Sequence, residues 1–341
     1  MIKILTNWRW EVLIKPLEKY LKDMHIIWLK KDKKYAYNDY STFQKIQQEL
    51  RKNKYDVVHM NSWFDIFLFK KYKEIKYIFE SHGPHPGISL KYSLLFAENP
   101  LTRIFIFFFY PLFKIIFLYK IRKVDLHYVS IPGILDLARQ SNPKAKWLPN
   151  PVDTEIFRKQ KECLKLNDTY INIFYPTGLR EIKNSGFALD LMSKLQKKYK
   201  NIRFYIIKQS VSNFKKYKKQ LEKIEKNIIR LDQVPREQIP FYYSADRDLV
   251  LGSFYPEKTY AMLNMIENEA MACKAPVLCC DLNEIIFEPI EKLEKLAYKI
   301  IDNKEYRKKY IERNYAYVIN VHGIQNVAKI YEKDIHALLD K

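Results

Sequence analysis

The stretch Glu267-Asn268-Glu269-Ala270-Met271-Ala272-Cys273-Lys274-Ala275-Pro276-Val277 sets two acids in front of a run of small residues and stops at a proline. Ala-Met-Ala-Cys favours helix and lets another backbone approach, and the residue before Pro276 is pushed out of helical geometry. A short helix therefore ends just before the apolar strand "PVLCCD". Small residues at such a junction follow from packing, but the acids do not, because Glu is rarely fully buried without a partner. Two readings of them stand side by side: one solvated helical face, or groups held for a ligand.

Working outward, the same alternation of strand and helix recurs along the whole chain. "IKIL", "DVVHM" (Asp56 to Met60), "KYIFESHG" (Lys76 to Gly83), "LHYVS" (Leu126 to Ser130) and "AKWLPNPVD" (Ala145 to Asp153) read as short apolar strands, with helical patterns such as "YSTFQKIQQELRKNK" between them. A second series follows: "INIFYPTG", a helix from Ser185 to about Lys198, "IRFYIIKQ", a basic helix, "IIRLDQV", "RDLVLGS", the small-residue helix and "PVLCCD". Strands that alternate with helices build parallel sheets. Two consecutive α/β halves, meeting near Pro149-Asn150-Pro151, are the expected organisation, with no short repeat and no low-complexity linker.

Composition bounds the function. The 341 residues suffice for two ordinary domains, and 48% hydrophobic residues with 26 tyrosines mark a folded chain. Sixty Lys and Arg against 39 acids give a net charge of +21, spread along the chain, which implies attraction to a polyanion: nucleic acid, anionic lipid or a phosphorylated substrate. Cys163, Cys273, Cys279 and Cys280 lack metal-ligand spacing and read as reduced, buried thiols of a cytoplasmic protein. "MIKILTNWRWEVLI" lacks the features of a secretory signal, so none is expected. The most hydrophobic segment, Ile104 to Leu118, contains Pro111 and Lys114 and falls short of the roughly 20 residues that cross a bilayer. It is either a buried helix of the first half or a surface entering a membrane interface, with Lys120, Arg122 and Lys123 ready to meet anionic head groups.

In parallel sheets ligands bind beyond the carboxyl ends of strands, often over helix N-termini. After "INIFYPTG" come Gly178, Arg180 and Lys183 and then a helix, so a turn, two cations and a helix N-terminus meet where a phosphate would sit. A carboxylate such as Glu269 nearby suits sugar or ribose hydroxyls, which donate hydrogen bonds to it.

These segments resemble a known family. "EAMACKAPV" is similar to the Glu-Ala-Met-Ala-Cys-Gly-x-Pro-Val run of the family 4 retaining glycosyltransferases, "LPNPVDTEIF" (Leu148 to Phe157) to their Asn-x-Val-Asp-x-x-x-Phe segment, and "PTGLREIKN" (Pro176 to Asn184) to their Gly-x-Arg-x-x-Lys phosphate turn. "YDVVHMNS", "ESHG" and "VDLHYVS" match first-domain landmarks in order, and "HGIQNVAKIYEKDI" resembles the closing helix that returns to the first domain. The resemblance implies an α/β GT-B architecture: two Rossmann-like domains with parallel sheets facing a central cleft. Residues 1–150, joined by a C-terminal helix at about 322–341, would bind the acceptor, and residues 151–321 the nucleotide-sugar.

It further implies transfer of a sugar, with retention, from a UDP- or GDP-type donor to a glycan, lipid-linked or other acceptor; the Ile104 to Leu118 segment and the basic residues behind it add the expectation of a cytoplasmic enzyme peripheral to the inner face of an anionic membrane. Nucleic acid is not an expected partner. Arg180 and Lys183 would stabilise the leaving diphosphate without a metal or other cofactor, Gly178 would form the turn, Glu269 would hold the ribose and His82 would lie near the reacting sugar. His85, Trp8 and Arg9 are acceptor-side candidates, with aromatic packing under the first sheet edge as the plainer reading of "TNWRWE", which replaces the family's glycine-rich loop. The family's other glutamate would fall on Ala261, so Glu257 or Glu267 must substitute for it, and Lys274 stands where glycine is usual, a strained place if φ is positive. Asp246-Arg247-Asp248 is an Asp-x-Asp of the metal-binding kind, but it lies where the family has an ordinary strand opening. The reading from another class is a GT-B-like protein that kept the fold, lost turnover and binds a polyanion, supported by Ala261 and the net charge.

Overall fold

The computed structural model describes residues 1–7, 15–29, 39–61, 66, 70–81, 90, 94, 100–179, 183–207, 216–245, 248–254, 264–279 and 290–340. The chain forms two compact units: residues 1–150 with 324–341, and residues 151–323.

In the first unit, β1 (Ile2–Asn7), β2 (Met24–Leu29), α1 (Asp39–Lys52), β3 (Val57–Met60), β4 (Lys76–Ser81), α2 (Pro100–Ile121), β5 (Leu126–Val129), α3 (Leu135–Ser141) and β6 (Ala145–Trp147) follow one another. The six strands pair in the order β2-β1-β3-β4-β5-β6, all parallel. β3 and β5 are buried at every position, as strands covered on both faces must be. β2, absent from the sequence reading, is an edge strand in which only Ile26 is fully buried, although five of the six residues of "MHIIWL" are apolar.

The second unit contains β7 (Ile171–Tyr175), α4 (Ser185–Lys198), β8 (Ile202–Ile207), α5 (Lys218–Ile224), β9 (Ile228–Leu231), α6 (Ile239–Ser244), β10 (Leu249–Leu251), α7 (Met265–Ala272), β11 (Val277–Leu278), α8 (Ile290–Asp302) and α9 (Lys304–His322). Its five parallel strands run in the order β11-β10-β7-β8-β9. The chain therefore builds outward from β7 in one direction, then returns to β7's other side with β10. Such a switch point leaves a crevice beyond the carboxyl ends of the two strands, the place where open α/β sheets bind ligands. One core packs Ile173, Phe204, Leu189 and Leu251 on one side of this sheet, and a second packs Phe174, Val250, Ala270 and Met271 on the other.

Gly323 separates α9 from α10 (Ile324–Leu339), since a Cβ there would lie 2.3 Å from the Ile319 carbonyl oxygen. α10 belongs to the first unit, where Ile324, Val327, Tyr331 and Ile335 pack with Ile4, Val57 and Ile78.

Two sequence expectations need correction. The Ile104 to Leu118 segment is not a buried helix: within α2 Ile106 and Phe117 are buried, while Phe108 and Ile115 are 71% and 67% exposed. Its apolar residues surround the helix, and the inner layer has room for one side only. Among the thiols, Cys273 and Cys279 are buried, but Cys163 is only partly so because its loop lies outside the sheet; Cys280 lies outside the described residues.

Candidate functional site

The two glutamates that open the small-residue run have separate tasks. Residues two apart on a helix do not share a face. Glu267, 1% exposed, points to the end of β10: its Oε1 accepts the Ser253 N–H at 2.6 Å and its Oε2 the Asn264 N–H at 2.7 Å. With Asn264 it forms the capping box of α7, satisfying donors that a helix N-terminus leaves open. This contact needs glycine at 252, where an added Cβ would lie 2.8 Å from Glu267 Cγ and 3.2 Å from the Leu278 carbonyl oxygen.

Glu269 faces the other way, 4% exposed, with Arg236 Nη2 2.6 Å from its Oε1. Burial pushes its carboxyl up to about 7; Arg236 pulls against this shift, and the nearby Glu267 adds to it. Arg236 comes from the short 3-10 turn Arg236–Gln238 after β9 and lies 5.1 Å over the Phe157 ring. An arginine paired to the candidate ribose carboxylate was not foreseen from the sequence. The one signal was its place, a cation in a turn beyond the carboxyl end of a strand.

The turn after β7 supplies the cationic side. Lys183 Nζ donates to Asn264 Oδ1 at 2.5 Å, and the Lys183 carbonyl accepts the Phe254 N–H at 3.2 Å. The lysine is thereby tied to the cap of α7 that Glu267 holds in place. The Gly178 carbonyl accepts a hydrogen bond from Ser185 Oγ, in the first turn of α4, and Asn184 just before that helix has φ 50. Two buried hydroxyls at the carboxyl ends of β7 and β10, Thr177 Oγ1 and Ser253 Oγ, have no hydrogen-bond partner among the described residues.

Of the residues singled out in the sequence, Gly178, Lys183, Glu267 and Glu269 are thus brought to the switch-point end of the second sheet. Trp8, Arg9, His82, His85, Arg180 and Glu257 lie outside the described residues, as do Asp246 and Arg247. Asp248 serves structure: its Oδ2 accepts the Asn172 N–H at 2.9 Å and its Oδ1 an Arg307 N–H at 2.7 Å. Among the described residues no group of three His, Cys, Asp or Glu is placed to hold a metal ion. Lys274 has φ 58, the left-handed region where a side chain costs about 1 to 2 kcal/mol, and its ammonium reaches Glu312 at 3.0 Å.

In the first unit a buried polar row underlies the carboxyl end of β4. His59 Nδ1 lies 2.8 Å from the Tyr331 hydroxyl and His59 Nε2 3.4 Å from Glu80 Oε2, while Ser81 Oγ meets His127 Nε2 at 3.0 Å. Burial holds the Glu80 carboxyl well above its ordinary range, and it pushes the His127 imidazole down to about 3, so that ring is neutral near pH 7.

Comparison with known proteins agrees with this geometry. The profile of the family described as Glycosyl transferases group 1 matches residues 156–317. A search of curated proteins finds no match. Among solved structures, the chain is similar to Anabaena HepE in complex with UDP-glucose, with a TM-score of 0.69, 11% identity and coverage of 99% of this chain and 100% of that one. It is similar to a glycosyltransferase from Rickettsia africae ESF-5 (TM-score 0.64, 15% identity, coverage 100% and 99%). The likeness extends to the N-terminal domain of Candida albicans trehalose-6-phosphate phosphatase (TM-score 0.63, 10% identity, coverage 99% and 97%). At these identities the shared property is the fold, the GT-B class of two Rossmann-like α/β units.

Proposed function

We propose that this chain is a retaining hexosyltransferase that moves a sugar from a nucleotide diphosphate donor to a glycan or lipid-linked acceptor. The observation that carries the reading is the meeting, at the switch-point end of the second sheet, of Lys183 from the turn after β7 with the α7 cap, while Glu269 of the same helix is buried against Arg236. A fixed cation suits a diphosphate and a buried carboxylate suits ribose hydroxyls. The family profile spans both, and the UDP-glucose held by HepE gives the donor class a precedent on this fold.

In the reaction the bond between the anomeric carbon and the donor phosphate oxygen breaks, and a bond to the acceptor oxygen forms on the same face. The acceptor's proton passes to the departing diphosphate. Arg180 and Lys183 neutralise the charge that grows on the leaving group, so no resident metal or cofactor is required. Gly178 shapes the turn, Glu269 holds the ribose, Glu257 takes the sugar-contacting place vacated at Ala261, and Glu267 serves the donor through the Asn264 cap. His82 lies at the reacting face, with His85, Trp8 and Arg9 on the acceptor side. The enzyme would work in the cytoplasm, at the inner face of an anionic membrane.

Incubation with a panel of UDP- and GDP-sugars, reading released nucleotide diphosphate, tests this. Release with one donor and a stabilising thermal shift, roughly 2.7 kcal/mol at 100 times the dissociation constant, are expected. Neither release nor a shift with any donor, together with tight binding to a polyanion, would instead favour the non-catalytic reading that the +21 charge suggests.

A further inference from the structure

The helix α2 presents to solvent a surface that a soluble domain has reason to cover. Arg103–Ile121 reaches a mean hydropathy of 1.9 with 11% of the stretch buried, and by length and composition it could cross a membrane. Phe105, Phe107, Phe108, Leu112 and Ile115 are all more than half exposed. At about 100° per residue the exposed apolar positions sweep an arc of about 200°, far wider than the two-position seam by which helices pair in a coiled coil. Ile106, Phe117 and Ile121 are buried, and the last two join Val58 and Phe79 in the core, which anchors the C-terminal part of the helix to the unit.

We infer that α2 is a membrane-docking element that lies in the head-group region of an anionic bilayer with its apolar arc in the lipid. Charge chooses the occupant. Pro100–Ile121 contains no acid, carries Arg103, Lys114 and Lys120, and is followed by Arg122 and Lys123. A second copy of the chain would bring cations against cations, whereas anionic lipid supplies the opposite sign within reach of an interfacial helix. Lys123 Nζ donates to the Tyr119 hydroxyl at 2.6 Å and lies 3.9 Å from that ring's centre, an apolar body with a polar rim of the kind that sits at a membrane surface.

Direction adds a consequence. α2 links the carboxyl end of β4 to the start of β5 and so runs back against both strands. Its 22 residues span about 33 Å at 1.5 Å each, and the six residues of β4 about 20 Å. The helix's N-terminal turns therefore reach past the carboxyl edge of the first sheet, the edge where ligands bind. That the docked lipid presents an amphiphilic acceptor there rests on the transferase reading; the docking itself does not.

Flotation of the full chain with phosphatidylcholine vesicles, with and without phosphatidylglycerol, tests the inference. The wild type should float with the anionic vesicles. Phe108→Asp with Ile115→Asp, both at exposed positions, should weaken this roughly tenfold or more at an unchanged thermal midpoint, and Lys114→Gln with Lys120→Gln should weaken it several-fold. Absence of flotation by the wild type, or flotation of the double-Asp variant equal to it, overturns the proposal. So does a wild-type dimer in sedimentation that the double-Asp variant converts to monomer without any lipid binding, since a second copy would then be the occupant. UDP and GDP binding, measured on the same variants, separates a failure of docking from a failure of the transferase reading.

Discussion

Arg236 Nη2 stands 2.6 Å from Glu269 Oε1 at the foot of a helix whose other acid, Glu267, is given over to capping. A buried carboxylate that an arginine holds in one orientation is prepared to accept hydrogen bonds from a second donor without further ordering. The pair still costs free energy, because desolvation outweighs the attraction and leaves the Glu269 carboxyl at about 7.

That cost gives a dependence of stability on pH with a definite sign. Between about pH 4.5 and 7 the unfolded chain ionises Glu269 while the folded one keeps the proton, so stability falls as pH rises across this window and levels off above 7. Relative to Glu269→Gln, the wild type should lose about 3 kcal/mol between pH 4.5 and 8 in urea unfolding. A constant difference between the two proteins over that range would show that Glu269 is ionised throughout.

Asp248 is expected to matter for folding and not for turnover. Asp248→Asn turns one acceptor of the Asn172 and Arg307 N–H groups into a donor, which should cost about 1 to 3 kcal/mol. Chelation should leave the reaction unchanged, as measured by nucleotide release with and without a chelator. Abolition by chelation and recovery with manganese would return Asp246-Arg247-Asp248 to the chemistry.

Lys274 should respond to side-chain shape. Lys274→Gly relieves the strain of φ 58 and gives up an exposed ion pair with Glu312, so stability should change by less than about 1 kcal/mol. Lys274→Val, β-branched in the left-handed region, should be less stable than the glycine variant by about 1 to 2 kcal/mol in denaturant titration.

Gly252→Ala should destabilise by about 1 to 3 kcal/mol, because the new methyl meets Glu267 Cγ at 2.8 Å and a backbone oxygen at 3.2 Å. Loosening the Glu267 cap also loosens Lys183, so thermal melts with and without UDP or GDP should show nucleotide stabilisation falling along with intrinsic stability.

The parallel sheets were legible where burial on both faces forces a continuous apolar run, as in "INIFY" and "IRFYII", which form β7 and β8. β2 was not legible although Ile26 to Leu29 is an unbroken apolar run, because a run that short fits a strand and a buried helix segment equally well. Lys274 was legible as a strained position because a residue with a side chain occupies a glycine place, and its φ is positive. Arg236 was not, since it lies 33 residues before Glu269 and only the topology joins them. Hydrophobicity alone also does not say how much of a helix is covered; for Ile104 to Leu118 only the packing of α2 shows that Phe108 and Ile115 stay exposed.

Calorimetric titration of Glu269→Ala is the direct test of where the donor sits. The folded variant should bind free UDP or GDP, whichever the wild type takes, about 1.5 to 3 kcal/mol more weakly, with a similar loss for the intact sugar nucleotide. Lys183→Ala, by contrast, should lower the single-turnover rate more than it lowers binding, because charge on the leaving group grows as the sugar departs. A folded Glu269→Ala that binds the nucleotide as the wild type does would mean that the Glu269–Arg236 pair is structural and that the donor lies elsewhere.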